Sequence, residues 1–172
     1  MCFISIDMQL FFLIGIFAAF VLIGFYIWRN YRARKSFFES ILSFCNHLGI
    51  EIAFSKNHIG HIIERYGSGY SRHFRNTLNA YNELLRARAD ITHEALTPIM
   101  WNGLKAAERI AVTNFFFELG RHGVEGEHEK LAAARESFGV FHKTAGKAMK
   151  SEASIYLKLS IIIGIGAVIL LI

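Results

Sequence analysis

The sequence predicts an all-α membrane protein, with two terminal transmembrane helices flanking a cytoplasmic helical bundle. Three observations carry this. The 172 residues are 53% hydrophobic, an excess that a soluble domain of this size struggles to hide from water. A long, nearly uncharged apolar stretch lies toward each end. Pro98 is the single proline and alternating β-branched runs are scarce, as long uninterrupted helices require.

The chain accordingly divides into an N-terminal tail (1–9), a transmembrane helix (10–28), a cytoplasmic helical domain (29–154) and a second transmembrane helix (155–172). Leu10 to Trp28 carries no charge, and at ~1.5 Å per residue it covers about 28 Å, the thickness of a bilayer's hydrocarbon core. Tyr26 and Trp28 stand at one end, where aromatic rings favour the headgroup boundary. Asp7 precedes this stretch in place of basic residues, and a good small-x-small exit is missing, so it reads as a retained span and not a cleaved signal peptide. Ile155 to Ile172 is interrupted only by Lys158, whose stem can carry its ammonium outward to the headgroups. Arg29, Arg32, Arg34 and Lys35 follow the first span, and Lys143, Lys147, Lys150 and Lys158 lead into the second. Basic residues are retained on the cytoplasmic side, so the middle is expected in the cytoplasm and both termini across the membrane.

Within the middle, Phe37, Ile41, Phe44 or Cys45, Leu48 and Ile52 recur on one helix face, continuing the first span outward. Ser55 to Asn57 is a polar break able to cap a short helix marked by Ile59, Ile62, Ile63 and Tyr66. Gly67, Ser68 and Gly69 stop it, and Ser71 can cap a third helix with the stripe Phe74, Leu78, Tyr81 and Leu85. From Arg86 to Asn102 the pattern weakens, and Pro98 suits a first helical turn. A strongly apolar helix is expected from about Leu104 through Ile110, Phe115, Phe116 and Leu119, closed by Gly120 and the turn Arg121, His122, Gly123. Its partner begins near Glu125, carries Leu131, Phe138, Phe141, Ala145 and Ala148, and continues toward the second span without a strong break. Leu119, Gly120 and Gly123 are thus the structural residues of an antiparallel helical hairpin.

Several function classes fall away. Cys2 and Cys45, on opposite sides of the first span, make no disulfide framework, and Cys2 does not read as a lipid-anchor residue, since no signal segment precedes it. His58 and His61 with Glu64 fall on neighbouring turns, yet structural metal sites need a tighter, oriented set, so these read as solvated helix surface, as do His122 and His128 at the turn. The formal charge of +5 sits beside the apolar segments and is not interleaved with aromatic residues, which points to anionic lipid and not nucleic acid. Gly15 and Gly24 in the first span, with Gly164 and Gly166 in the second, fit either close helix packing or simple tolerance. No nucleophile elbow, phosphate loop, zinc pair or triad spacing is present, so no catalytic residue, metal or cofactor is expected and the protein reads as a non-enzyme. Of the run Phe115 to Phe117, at least one ring must cover a neighbouring helix or a partner.

The layout resembles the stage III sporulation protein AB family. The resemblance rests on Gly24-Phe25-Tyr26 before the basic cluster, Leu48-Gly49-Ile50-Glu51-Ile52, Phe116-Phe117-Glu118-Leu119-Gly120, the segment from Glu127 to Arg135, and the tail Val168-Ile169-Leu170-Leu171-Ile172. Ser55-Lys56-Asn57-His58 and Glu127-His128 depart from the usual proline-containing turn and glutamine of such proteins. The resemblance implies a non-catalytic subunit of the apparatus assembled between mother cell and forespore, on the mother-cell side of the forespore-surrounding membrane. Its helical domain would be similar to that of the inner-membrane platform proteins of type II secretion. The implied partners are membrane lipid, a cytoplasmic ATPase and other channel subunits, with a homo-oligomer left open. The alternative is a platform subunit of a general type II secretion or type IV pilus-like system, although such proteins duplicate the helical domain and a single copy stands here.

Overall fold

A computed structural model describes residues 3–54, 59–88, 90–121 and 124–171, and among them the side chains of 11–51, 59–88, 90–121 and 126–171. The regular elements of the described residues are helices: α1 (Phe3–Phe54), α2 (Ile59–Tyr66), α3 (Arg72–Arg86), α4 (His93–Leu96), α5 (Ala106–Glu118), α6 (Val124–Lys150) and α7 (Glu152–Leu171), with short 3-10 turns at Gly67–Gly69 and Thr97–Ile99. They fall into two compact units: Met1–Arg32 with Ala145–Ile172, and Ala33–Thr144. The helical domain read from sequence spans 29–154, and the compact unit within it spans 33–144.

In the unit 33–144, the face of α1 predicted from spacing is the core: Phe37, Ile41, Phe44, Cys45 and Leu48 are buried, joined by Phe38, while the side chain of Ile52 lies outside the described residues. Ile62 and Ile63 of α2 and Phe74, Leu78 and Tyr81 of α3 are also buried. Phe44 is the hub of an aromatic cluster. Its ring lies 5.7 Å from Phe74 and 6.1 Å from Tyr70, both edge-on, and 6.4 Å from both Phe115 and Phe116. Edge-to-face contacts pair positive ring edges with negative faces and fix the relative rotation of the helices more tightly than aliphatic packing does.

Two local expectations need correction, at the start of α3 and along α5. Ser71 occupies the residue before α3, but its hydroxyl caps nothing; its N–H donates instead to Ser40 Oγ at 2.9 Å, which ties the start of α3 to α1. The weakly patterned stretch after Arg86 is ordered by tertiary packing: Thr92 caps α4 by accepting from the Ala95 N–H at 3.2 Å, Pro98 sits in the first turn of the 3-10 segment, and Leu96 and Met100 enter the core. Finally, α5 starts at Ala106 and not Leu104, and Ile110 is 62% exposed while Glu108, at 2%, takes the inward position. A periodicity scan scores an acid as outward; here a buried cation turns it inward. The polar break with Ser55 and Asn57, and the turn residues His122 and Gly123, lie outside the described residues.

In the other unit, α1 and α7 pack antiparallel. A Cβ on Gly24 would lie 2.8 Å from Ser160 Cβ and 3.2 Å from Leu157, and one on Gly164 would lie 3.1 Å from Phe17 and 3.2 Å from Phe20. Gly15 and Gly166 meet nothing within 4 Å. The question left open by sequence is thus divided: two glycines permit close approach, and two are merely tolerated. Tyr31 donates to Glu152 Oε2 at 2.9 Å farther along the same pair. This register sets Trp28 level with about Tyr156, so the apolar limits of the two stretches coincide, and both helices are long and apolar enough to cross a membrane. At the junction of α6 and α7, the Ser151 N–H donates to Lys147 O and the Ile155 N–H to Ser151 O, so helical bonding carries through it.

Candidate functional site

Two sets of residues stand out, one in each unit. The first is the cationic boundary of the α1/α7 pair. Arg29, Arg32, Lys147, Lys150 and Lys158 are exposed in that unit, and the Arg32 guanidinium lies 5.4 Å from the Trp28 ring centre. Lys35, half-buried, and Lys143, exposed, belong to the other unit. Arg34 departs from the expected lipid-facing set. It is 6% exposed, and its Nε donates to Glu108 Oε1 and Oε2 at 3.1 and 2.9 Å while Nη2 donates to Oε1. Glu108 Oε2 also accepts from the Lys105 N–H at 2.9 Å, closing the start of α5. The forked geometry of guanidinium on carboxylate makes this a charge-assisted, orientation-specific lock between α1 and α5.

The second set is the α5/α6 hairpin. Leu119 is buried, Gly120 adopts φ +81°, and the Gly120 N–H donates to Glu127 Oε1 at 2.9 Å. The left-handed φ is one that only glycine adopts freely, and a Cβ there would also press on Ile59 Cδ1 at 3.0 Å. Gly123, the third residue expected in the turn, lies outside the described residues. Lys130 bridges to Glu118 at 2.8 Å across the two helices. Beneath that bridge runs a groove floored by Ala111, Phe115, Leu131, Ala134 and Phe138. Arg135, at the end of the segment singled out from sequence, lies against Gly49 and donates to the Cys45 carbonyl at 3.0 Å. The phenylalanine run divides as packing demands: Phe116 is fully buried, Phe115 meets Phe138 at 5.4 Å, and Phe117 is covered by His93 at 4.1 Å and by the Arg121 guanidinium at 3.9 Å.

Sequence reasoning missed the buried acids. Besides Glu108 and Glu127, Glu51 is buried and accepts from Tyr66 Oη at 3.0 Å and Arg65 Nη1 at 3.3 Å. Beside it His47 stacks on Tyr66 at 4.1 Å and shares a 2.7 Å hydrogen bond with Tyr70 Oη. The available signal was an acid set between apolar residues, as Glu51 is between Ile50 and Ile52. Burial pushes the Cys45 thiol up to about 12 and the Tyr81 phenol up to about 12, and it raises Tyr70 as well. Each therefore stays neutral at ordinary pH; Cys45 and Tyr81 act as packing groups, and Tyr70 also bonds His47. Among the described residues no three metal-type ligands come together. His61 is exposed, Glu64 pairs with Arg86, and His58 lies outside the described residues.

A search of curated proteins finds no match, and a search of solved structures finds none either. A family model described as stage III sporulation protein AB matches residues 9–172. That match runs through both apolar helices, the hairpin and the buried acids alike, and on it the chain belongs to the stage III sporulation protein AB family.

Proposed function

We propose that the protein is a non-catalytic membrane subunit of a sporulation apparatus, whose helical unit 33–144 faces the cytoplasm and joins an ATPase to membrane-embedded channel subunits. The family match carries the sporulation context. The role within it draws support from the way charge is used. Glu51, Glu108 and Glu127 are buried and hold helices or turns together, which gives a stiff body suited to passing force or orientation rather than to binding a substrate. The exposed cations beside α1 and α7 support placing that body on the cytoplasmic side, facing anionic headgroups.

The test uses the full chain purified in mild detergent with the cognate ATPase of the same apparatus. Co-elution that persists across a range of salt concentrations is the expected result. Loss of association at every salt tested would overturn the linking role while leaving family membership untouched.

A further inference from the structure

We infer that the face of α1 turned away from α7 seats one anionic phospholipid, its phosphate on Arg29 and an acyl chain along Leu22, Ile23, Phe25 and Tyr26. This rests on the two-span reading. The side of α1 carrying Phe17, Phe20 and Gly24 is taken by α7. Leu22 and Tyr26, each 66% exposed, stand on the opposite side, and with Ile23, Phe25 and Arg29 they line a groove along the helix. Residues 22, 26 and 29 follow the four- and three-residue steps of one helix face, so the groove runs lengthwise, as an extended acyl chain does.

Charge selects the occupant. Among the described residues Arg29 makes no ion pair, and Arg32 is drawn over Trp28. The unit holds five cations, Arg29, Arg32, Lys147, Lys150 and Lys158, against two acids in its sequence: Asp7 before the span and Glu152, which accepts from Tyr31. A guanidinium at the mouth of an apolar groove, with Tyr26 beside it at the boundary, suits a phosphodiester that carries its own acyl chain. A second protein helix would need an acid of its own at this level to answer that cation, whereas an anionic lipid brings the charge and the apolar chain in one molecule.

The experiment reconstitutes the full chain in nanodiscs and reads Trp28 fluorescence in a Trp101→Phe background. Acyl-brominated phosphatidylglycerol and phosphatidylcholine are compared as dilute quenchers. Several-fold stronger quenching by the anionic lipid is expected, with most of the preference lost in Arg29→Gln and retained in Arg29→Lys. Equal quenching by the two lipids, an anionic preference untouched by Arg29→Gln, or a disulfide-linked dimer formed through Tyr26→Cys would each overturn the site. Native mass spectrometry of the unsubstituted chain gives a second reading, with one retained phosphatidylglycerol expected and none retained counting against it. Release of the chain from membranes by carbonate alone would instead remove the two-span reading, an outcome separate from headgroup choice.

Discussion

Arg34 and Glu108 lie 74 residues apart in sequence and are both nearly inaccessible, so each is stable in the core only because the other is present. A buried pair of this kind contributes little net stability when intact, but removing one partner strands a charge. Glu108→Ala is expected to cost about 3–5 kcal/mol, read as a lower unfolding midpoint in detergent. The double variant Arg34→Met with Glu108→Leu should recover most of that loss. A single-variant loss below about 1 kcal/mol would mean that the pair behaves as a solvated one. Cys45 makes a complementary case. In a Cys2→Ser background, maleimide at pH 8 should leave the folded chain unlabelled and react fully once it is unfolded. Because the folded thiol and the Tyr81 phenol both titrate above their ordinary values of 9.0 and 10.0, their contribution to stability is complete below pH 9. It is lost as pH rises toward about 12, so alkaline unfolding midpoints should fall across that window. None of these partnerships shows in a local stretch of sequence, where Arg34 is one more cation after a span.

At the scale of elements, glycines divide by what faces them. Gly120 ends α5 with a left-handed residue whose N–H is held by Glu127. Gly120→Ala should cost about 1–2 kcal/mol from the backbone alone, with the contact to Ile59 adding to it, and a neutral result in chemical denaturation would contradict the turn as described. In the α1/α7 pair, Gly24→Ala should lower the thermal midpoint because Ser160 and Leu157 are already in contact. Gly15→Ala should raise or preserve it, since alanine is the better helix former and nothing stands within 4 Å. Equal effects of the two would show that α7 does not approach α1 at Gly24. The hairpin was readable from the Leu119-Gly120 stop, whereas α4 was not, because its four residues are held by a threonine cap and core burial and not by periodicity of their own.

At the scale of the whole molecule, the proposed two-span topology makes a claim about sides. A cysteine introduced at Lys130 in a chain otherwise free of cysteine should resist an impermeant maleimide in intact cells and react once the membrane is opened. Labelling from outside would reverse the orientation and with it the proposed access of an ATPase. By itself the sequence determined the helical class, the two apolar stretches, the hairpin and the family, because apolar length, one-face spacing and motif order are properties of the chain read along one dimension. Only the tertiary structure decided that Arg34 leaves the lipid-facing set, that Glu108 displaces Ile110 from the core face, and that Gly24 and Gly164, but not Gly15 and Gly166, are contact residues. Those outcomes depend on which surfaces meet across long separations in the chain, where desolvation and close approach reverse what each residue's own chemistry suggests.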